Sequence, residues 1–273
     1  MARLLIALIA FPLGFVFLGA ASPRAAEALA AGPLRIILGP QGTGCIAGAV
    51  ELSASGPGFE TIRAGKTAFW GAPSTIEAIR TLGAHAQGSG LPELYIGELS
   101  RPRGGPIAGS HVSHQVGLDV DIYLDLTRKP ILNVAQRQDL EPPTVVRPDR
   151  RGIDPARWRA QHVTLLKLAA GLPAVDRILV NPAIKKELCE TVREDRSWLR
   201  LIRPWYGHAA HMHIRFRCPA DQPECIQAAP PPPGESCDAS LQWWFDQLDA
   251  PPSPPGPRRP PSPVPAACKA ILR

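Results

Sequence analysis

Five of the seven histidines in this chain fall into two short segments. HVSHQVGLDVDIYL (111–124) carries His111 and His114, then Asp119 and Asp121. HAAHMHIRFRC (208–218) carries His208, His211 and His213. Imidazole and carboxylate are the donors a catalytic zinc ion takes, three from the protein with a fourth position left open. A loop histidine, a strand aspartate and a strand histidine (His114, Asp121 and His213) make such a set. His211 lies two residues before His213 and shares its strand face. Asp119 shares a face with Asp121 and reads as an orienting partner of a ligand histidine. H-E-x-x-H, G-x-S-x-G and a Gly-rich phosphate loop are all absent, so neither a helix-borne metal site nor a serine nucleophile has its usual setting.

The elements that must bring these segments together are legible from periodicity. GLDVDIYLDL (117–126) alternates, with Asp119, Asp121 and Tyr123 on one face and Val120, Ile122 and Leu124 on the other. HMHIRFRC alternates likewise, with Met212, Ile214 and Phe216 opposite the histidines. Residues 93–100 and 175–181 read as further strands. Helices are expected at 73–87, 155–172 and 182–191, the last with proline at its first position. Residues 31–60 are rich in Gly, Ser and Pro and read as irregular, and 127–157 as a long excursion. The prolines of 230–233 and 251–265 exclude helix and sheet, while LQWWFDQL between them forms a short helix packing its tryptophans on the body. His85 and His162 fall in helices and read as structural. Trp205 and Tyr206, just ahead of His208, bound a substrate groove or pack in the core.

Arg3 followed by LLIALIAFPLGFVFLGAA is a secretory leader, with cleavage expected before Ala31 and a second choice near Ala21. No other apolar run reaches membrane length, so no permanent membrane insertion is expected after cleavage. Six cysteines behind such a leader imply three disulfides in an oxidising compartment. Cys218 and Cys225 are close enough to close a local loop, and spacing leaves the other pairings open. A net charge of +6 with interleaved signs is too weak for a nucleic-acid partner. The organisation expected is a leader over 1–30, a domain over 31–229 and a proline-rich extension over 230–273.

SHQVGLDVDI with HAAHMHIRFRCP resembles the penicillin-insensitive murein endopeptidases. These sit in a wider group with lysostaphin-type enzymes, D-Ala-D-Ala metallopeptidases and the hedgehog signalling domain. VNPAIKKELC, WLRLIRPWYGHAAHMH and PPPGESC extend the likeness from about Gly44 to Cys268. The resemblance implies an α+β fold, a small antiparallel sheet flanked by helices, with the proline-rich extension pinned by disulfides. It implies zinc on His114, Asp121 and His213, with His211 or His208 moving protons. It implies hydrolysis of D-alanyl–meso-diaminopimelyl cross-links in periplasmic peptidoglycan by a zinc-activated water. His111 and Asp149 are the residues a second metal would use, although no histidine stands just beyond Asp149. Its disulfides would be Cys45–Cys268, Cys189–Cys237 and Cys218–Cys225, and it leaves room for a homo-oligomer. The alternative is a zinc-containing cell-wall binding or signalling module without chemistry. Against it, a module that only binds has no use for His111, His208 and His211 around the ligands.

Overall fold

The structure is a computed structural model describing residues 30–39, 42–63, 68–107, 113–130, 132–250 and 263–273. The expected leader, apart from Ala30, and most of the second proline run lie outside them. The strands are β1 Arg35–Leu38, β2 Gly44–Ala47, β3 Val50–Glu51, β4 Ser55–Gly56, β5 Phe59–Thr61, β6 Trp70–Gly71, β7 Leu94–Ile96, β8 Asp119–Tyr123, β9 Val175–Val180, β10 Ile202–Pro204 and β11 His211–Phe216. The main helices are α1 Pro73–Gly88, α2 Ala160–Ala170, α3 Pro182–Thr191 and α4 Ala239–Asp249.

Seven strands form one sheet in the order β10-β9-β11-β8-β7-β5-β4, with β1–β2 and β3–β6 as separate ribbons. Two expectations are corrected here. Residues 31–60 are not irregular, since they supply five short strands. Gly48 and Gly58 occupy connections with φ near +71°, a conformation that costs glycine little, while Gly44 and Gly56 lie within β2 and β4. The main sheet is mixed rather than antiparallel, because β10 pairs parallel with β9 and β5 with β7. The helical expectations agree with the observed α1, α2 and α3 within a few residues. α3 starts where Asn181 caps it, accepting from Ala183 N, with Pro182 following, the arrangement expected of a cap residue and a first-turn proline.

The central pair is β8 and β11, antiparallel with His213 opposite Asp121 and Arg215 opposite Asp119. One face of this pair is apolar and fully buried: Val120, Ile122, Met212 and Ile214 are each 0% exposed. α1 adds Ile76, Ile79, Leu82 and Ala86 to the same core. Burying an aliphatic side chain contributes about 1.5–3 kcal/mol, so this register is strongly held, and a one-residue slip would turn the acids into the core.

The three disulfides are Cys45–Cys268, Cys189–Cys237 and Cys218–Cys225, the pairing the resemblance implied. The extension is thus tied at both ends. Around Cys237 the tie is reinforced: Arg196 bonds the Glu235 carboxylate, and buried Lys185 donates to the carbonyls of Leu199 and Glu235. α4 rests on Leu241 and Phe245; of its tryptophans Trp244 packs half-buried on Trp205 and Tyr206, while Trp243 is exposed. Ala30 is buried and accepts from Gly48 N. Among the described residues, no helix is long and apolar enough to cross a membrane.

Candidate metal centre and active site

The polar face of β8 and β11 is buried as well, with Asp119, Asp121 and His213 between 0 and 4% exposed. His114 joins them from the turn before β8. That turn depends on Gly117 at φ +70°, where a Cβ would stand 2.9 Å from Ala72 N and Gly71 Cα. His114 is 2% exposed, and its Nδ1 lies 2.9 Å from the Leu99 carbonyl. A carbonyl only accepts, so Nδ1 carries the proton and Nε2 presents its lone pair, 3.3 Å from Asp121 Oδ1. His213 Nδ1 lies 3.0 Å from that oxygen, and its Nε2 lies 2.8 Å from Asp119 Oδ1. Asp119 is in turn gripped by Arg215 through Nε at 2.8 Å and Nη2 at 2.9 Å. One ligand atom from each of His114, Asp121 and His213 falls within 4.8 Å of the others.

The electrostatics follow from burial and pairing. Burial raises the Asp119 pKa, but the Arg215 charge and the His213 hydrogen bond outweigh it and hold the carboxyl well below its usual range. Asp121 is likewise ionised, with burial opposed by His114 and His213. Burial lowers the His213 pKa, yet the two aspartates more than reverse this and raise it to about 9. A proton therefore sits between His213 Nδ1 and Asp121 Oδ1, where two lone pairs point at one place.

His211 and His208 occupy the open side. His211 is half-buried, its Nε2 3.7 Å from Asp121 Oδ1 and its ring 5.6 Å from that of Tyr123. Burial lowers its pKa against the opposing pull of Asp121, with the repulsion of His213 and His114 adding to the fall, so it is neutral at physiological pH. The His208 ring is 5.1 Å from His211, and burial with the neighbouring imidazoles lowers its pKa to about 4. Its Nδ1 lies 3.0 Å from the Tyr206 carbonyl, leaving Nε2 as an acceptor. His208 sits at φ +45° after Gly207 at φ +73°. For a non-glycine residue this conformation costs roughly 1–3 kcal/mol and persists only when its surroundings enforce it. Asn181 supplies the enforcement: its side chain donates to Gly207 O at 2.9 Å and its N–H to His208 O at 3.0 Å.

Asp149 is not in this group. It sits in an exposed turn, bonded to Arg147 and to Arg151 N. His111 lies outside the described residues. His162 is buried in α2, stacked on Trp158 and bonded to Leu124 O, whereas His85 is exposed. Three contributors escaped the sequence reading: the Leu99 carbonyl, Arg215 as the clamp on Asp119, and Asn181 as the clamp on the His208 turn. Only Asn181 had a signal, the Asn-Pro step at a helix start.

Two histidines and a carboxylate from a loop and two central strands, with neutral histidines on the one open side, suit a metal-dependent hydrolase. The comparisons with known proteins name the kind. A family model described as penicillin-insensitive murein endopeptidase matches residues 37–273, and the chain belongs to that family of peptidases. It is 42% identical to penicillin-insensitive murein endopeptidases of Klebsiella pneumoniae subsp. pneumoniae and Yersinia enterocolitica. Each match covers 86% of this chain and 84–85% of the relative. The Salmonella newport protein of that name is also 42% identical over 241 residues.

Proposed function

We propose that this endopeptidase cuts D-alanyl–meso-diaminopimelyl cross-links of peptidoglycan in the periplasm, with one zinc ion held by His114, Asp121 and His213. The observation that carries the reading is the buried convergence of those three side chains. Tetrahedral ligands about 2.1 Å from a zinc ion stand about 3.4 Å from one another, and the Asp121 oxygen is 3.3 Å from His114 and 3.0 Å from His213. The outer hydrogen bonds favour the same assignment, since Leu99 O and Asp119 take the far N–H of each imidazole, the support metal-bound histidines ordinarily have. Zinc held there supplies a Lewis acid and brings the pKa of a water down to about 7.

The chain's own groups then act in sequence. Neutral His211 accepts the proton of the attacking water and delivers it to the departing amine. His208 is the alternative base, presenting Nε2 from the rim. Arg215 holds Asp119 ionised, and Asp119 holds the His213 ring in place. Asp149, engaged by Arg147, would have to leave that partner to serve a second ion with His111, so the reading keeps to one metal.

The test is digestion of purified sacculi with products identified by mass. Cross-link cleavage is expected to stop with a strong zinc chelator and return on adding zinc. It is expected to continue in excess penicillin, which needs a serine to acylate. Activity indifferent to chelator, with covalent labelling by penicillin, would overturn the reading.

A further inference from the structure

Exposed aromatic side chains collect at one place. Trp205 is 55% exposed, Trp243 52% and Tyr206 39%. They come from two distant parts of the chain, the β10–β11 connection and α4. Trp244 joins them, its ring 6.0 Å from Trp205, 4.8 Å from Tyr206 and 5.3 Å from Trp243. The Tyr206 hydroxyl donates to Trp244 O at 2.6 Å. The cluster is fixed from both sides. Trp205 N donates to Val180 O, while α4 begins beside Cys237, which is bonded to Cys189 of α3. Holding large apolar rings outward on an ordered support is a mark of an interaction site.

The cluster is also joined to the candidate active site. Tyr206 is two residues from His208, at most about 7 Å along the backbone, and its carbonyl holds the His208 ring. A ligand lying on these rings therefore runs up to the catalytic histidines. α4 carries Asp246 and Asp249 and no basic residue of its own, which disfavours an anionic lipid surface; Asp246 accepts from Gln242 and Asp249 pairs with Arg151, and their remaining lone pairs can accept from hydroxyl groups. The C–H faces of a pyranose ring match the negative faces of aromatic rings, and their hydroxyls would meet such acceptors at the edge.

We propose that Trp205, Tyr206 and Trp243 form a sugar-stacking platform that seats a glycan strand of the substrate beside the peptidase site. The proposal rests on the peptidoglycan reading above: a cross-link is bonded through short peptide stems to glycan, so a site that takes the peptide has sugar within a few residues' reach. The extension then has a task beyond closing the fold, because it supplies Trp243 and Trp244.

The probe is peptide-free glycan strands, titrated calorimetrically against the full-length mature protein and its Trp243→Ala, Trp205→Ala and Trp243→Tyr variants, each checked for a wild-type melting curve. Wild-type protein is expected to bind the strands. The alanine variants should bind about tenfold more weakly, with Trp243→Tyr close to wild type. On sacculi the alanine variants should raise KM with little change in kcat. Absence of binding by wild-type protein, alanine variants that bind as wild type does, or binding to anionic phospholipid vesicles in place of glycan would overturn the proposal. Binding is read without hydrolysis. A protein that bound glycan but cut nothing would sustain the platform and sink the peptidase reading, whereas one that cut sacculi without binding glycan would do the reverse.

Discussion

Asp119→Asn changes one atom in a side chain that is not itself a proposed ligand but bonds one, His213, and its consequences are large on the present geometry. Asp119 is 0% exposed and accepts from His213 Nε2 at 2.8 Å and from Arg215 twice. The carboxylate can only accept, so it draws the imidazole proton to Nε2 and leaves Nδ1 for a cation. An asparagine amide can donate to Nε2 instead, which moves the proton to Nδ1 and closes the ligand position. Loss of such an orienting partner weakens metal binding about 10–100-fold, or about 1.4–2.8 kcal/mol. Folding is weakened as well. Arg215 keeps its charge and loses its only ionised hydrogen-bonding partner among the described residues. Breaking a buried ion pair costs about 3–5 kcal/mol, and with the Arg215 side chain 18% exposed the lower end is expected. Asp119→Ala separates the two effects. It leaves space in which a water can accept from Nε2, so its metal affinity should exceed that of Asp119→Asn, while its stability should be no better. Competition with a chromophoric chelator gives the affinity and thermal unfolding the stability. Asp119→Asn with wild-type zinc affinity would refute the orientation argument, as would an alanine variant that binds zinc more weakly than the asparagine one.

His211→Ala should retain one equivalent of zinc by elemental analysis yet lose about 10²–10⁴ in kcat; loss of the metal would make His211 a ligand. Lys185 is fully buried, and burial, aided by Arg203, lowers its pKa from 10.5 to about 7. The unfolded chain therefore binds more protons between those values, so stability should rise with pH from about 7 to about 10, by up to about 1.4 kcal/mol per pH unit from this group. Denaturant midpoints should show that slope in the wild type and lose it in Lys185→Met. Replacing Cys45 and Cys268 together by alanine should cost about 2–5 kcal/mol of stability, measured by urea unfolding, with zinc affinity unchanged, since the β8–β11 register and the Gly117 turn place the proposed ligands.

The strands that carry the site were legible because each obeys a simple alternation. Met212, Ile214 and Phe216 against His211, His213 and Arg215 is a pattern only a half-apolar strand produces, and β11 has those bounds. α3 was legible through its proline, and α1 through the spacing of Ile76, Ile79 and Leu82. The strands of residues 35–61 were not. They are two to four residues long, too short for a period to register, and their glycines resemble those of a coil. The mixed direction of the sheet was hidden for a different reason: β5 pairs with β7 across the whole of α1, a long-range contact with no local trace. Within the site, side-chain types announced themselves and the backbone did not. The Leu99 carbonyl belongs to a residue whose side chain is plain core. Arg215 could be placed on the histidine face, but its grip on Asp119 depends on the β8–β11 register, which alternation alone leaves undetermined.

The buried charges also explain how such a centre can sit inside a stable sheet before any cation arrives. Asp119 and Asp121 are two negative charges in an environment that penalises each of them strongly. Arg215 balances one, and the proton held on His213, whose pKa is raised to about 9, balances the other. The charges of Asp119 and Asp121 are therefore compensated at neutral pH. On the proposed assignment, a divalent ion entering between His114, Asp121 and His213 would displace that proton and take over its electrostatic role, so the ligand geometry would not have to be created by the metal. This differs from small domains in which metal binding supplies the folding energy. Here the register of β8 against β11, held by the apolar face beneath, sets the positions of Asp121 and His213, and the Gly117 turn sets that of His114. The division of labour follows from burial: the proposed ligands Asp121 and His213 stand on strands that cannot shift without exposing core, while His208 and His211 lie at the half-exposed rim.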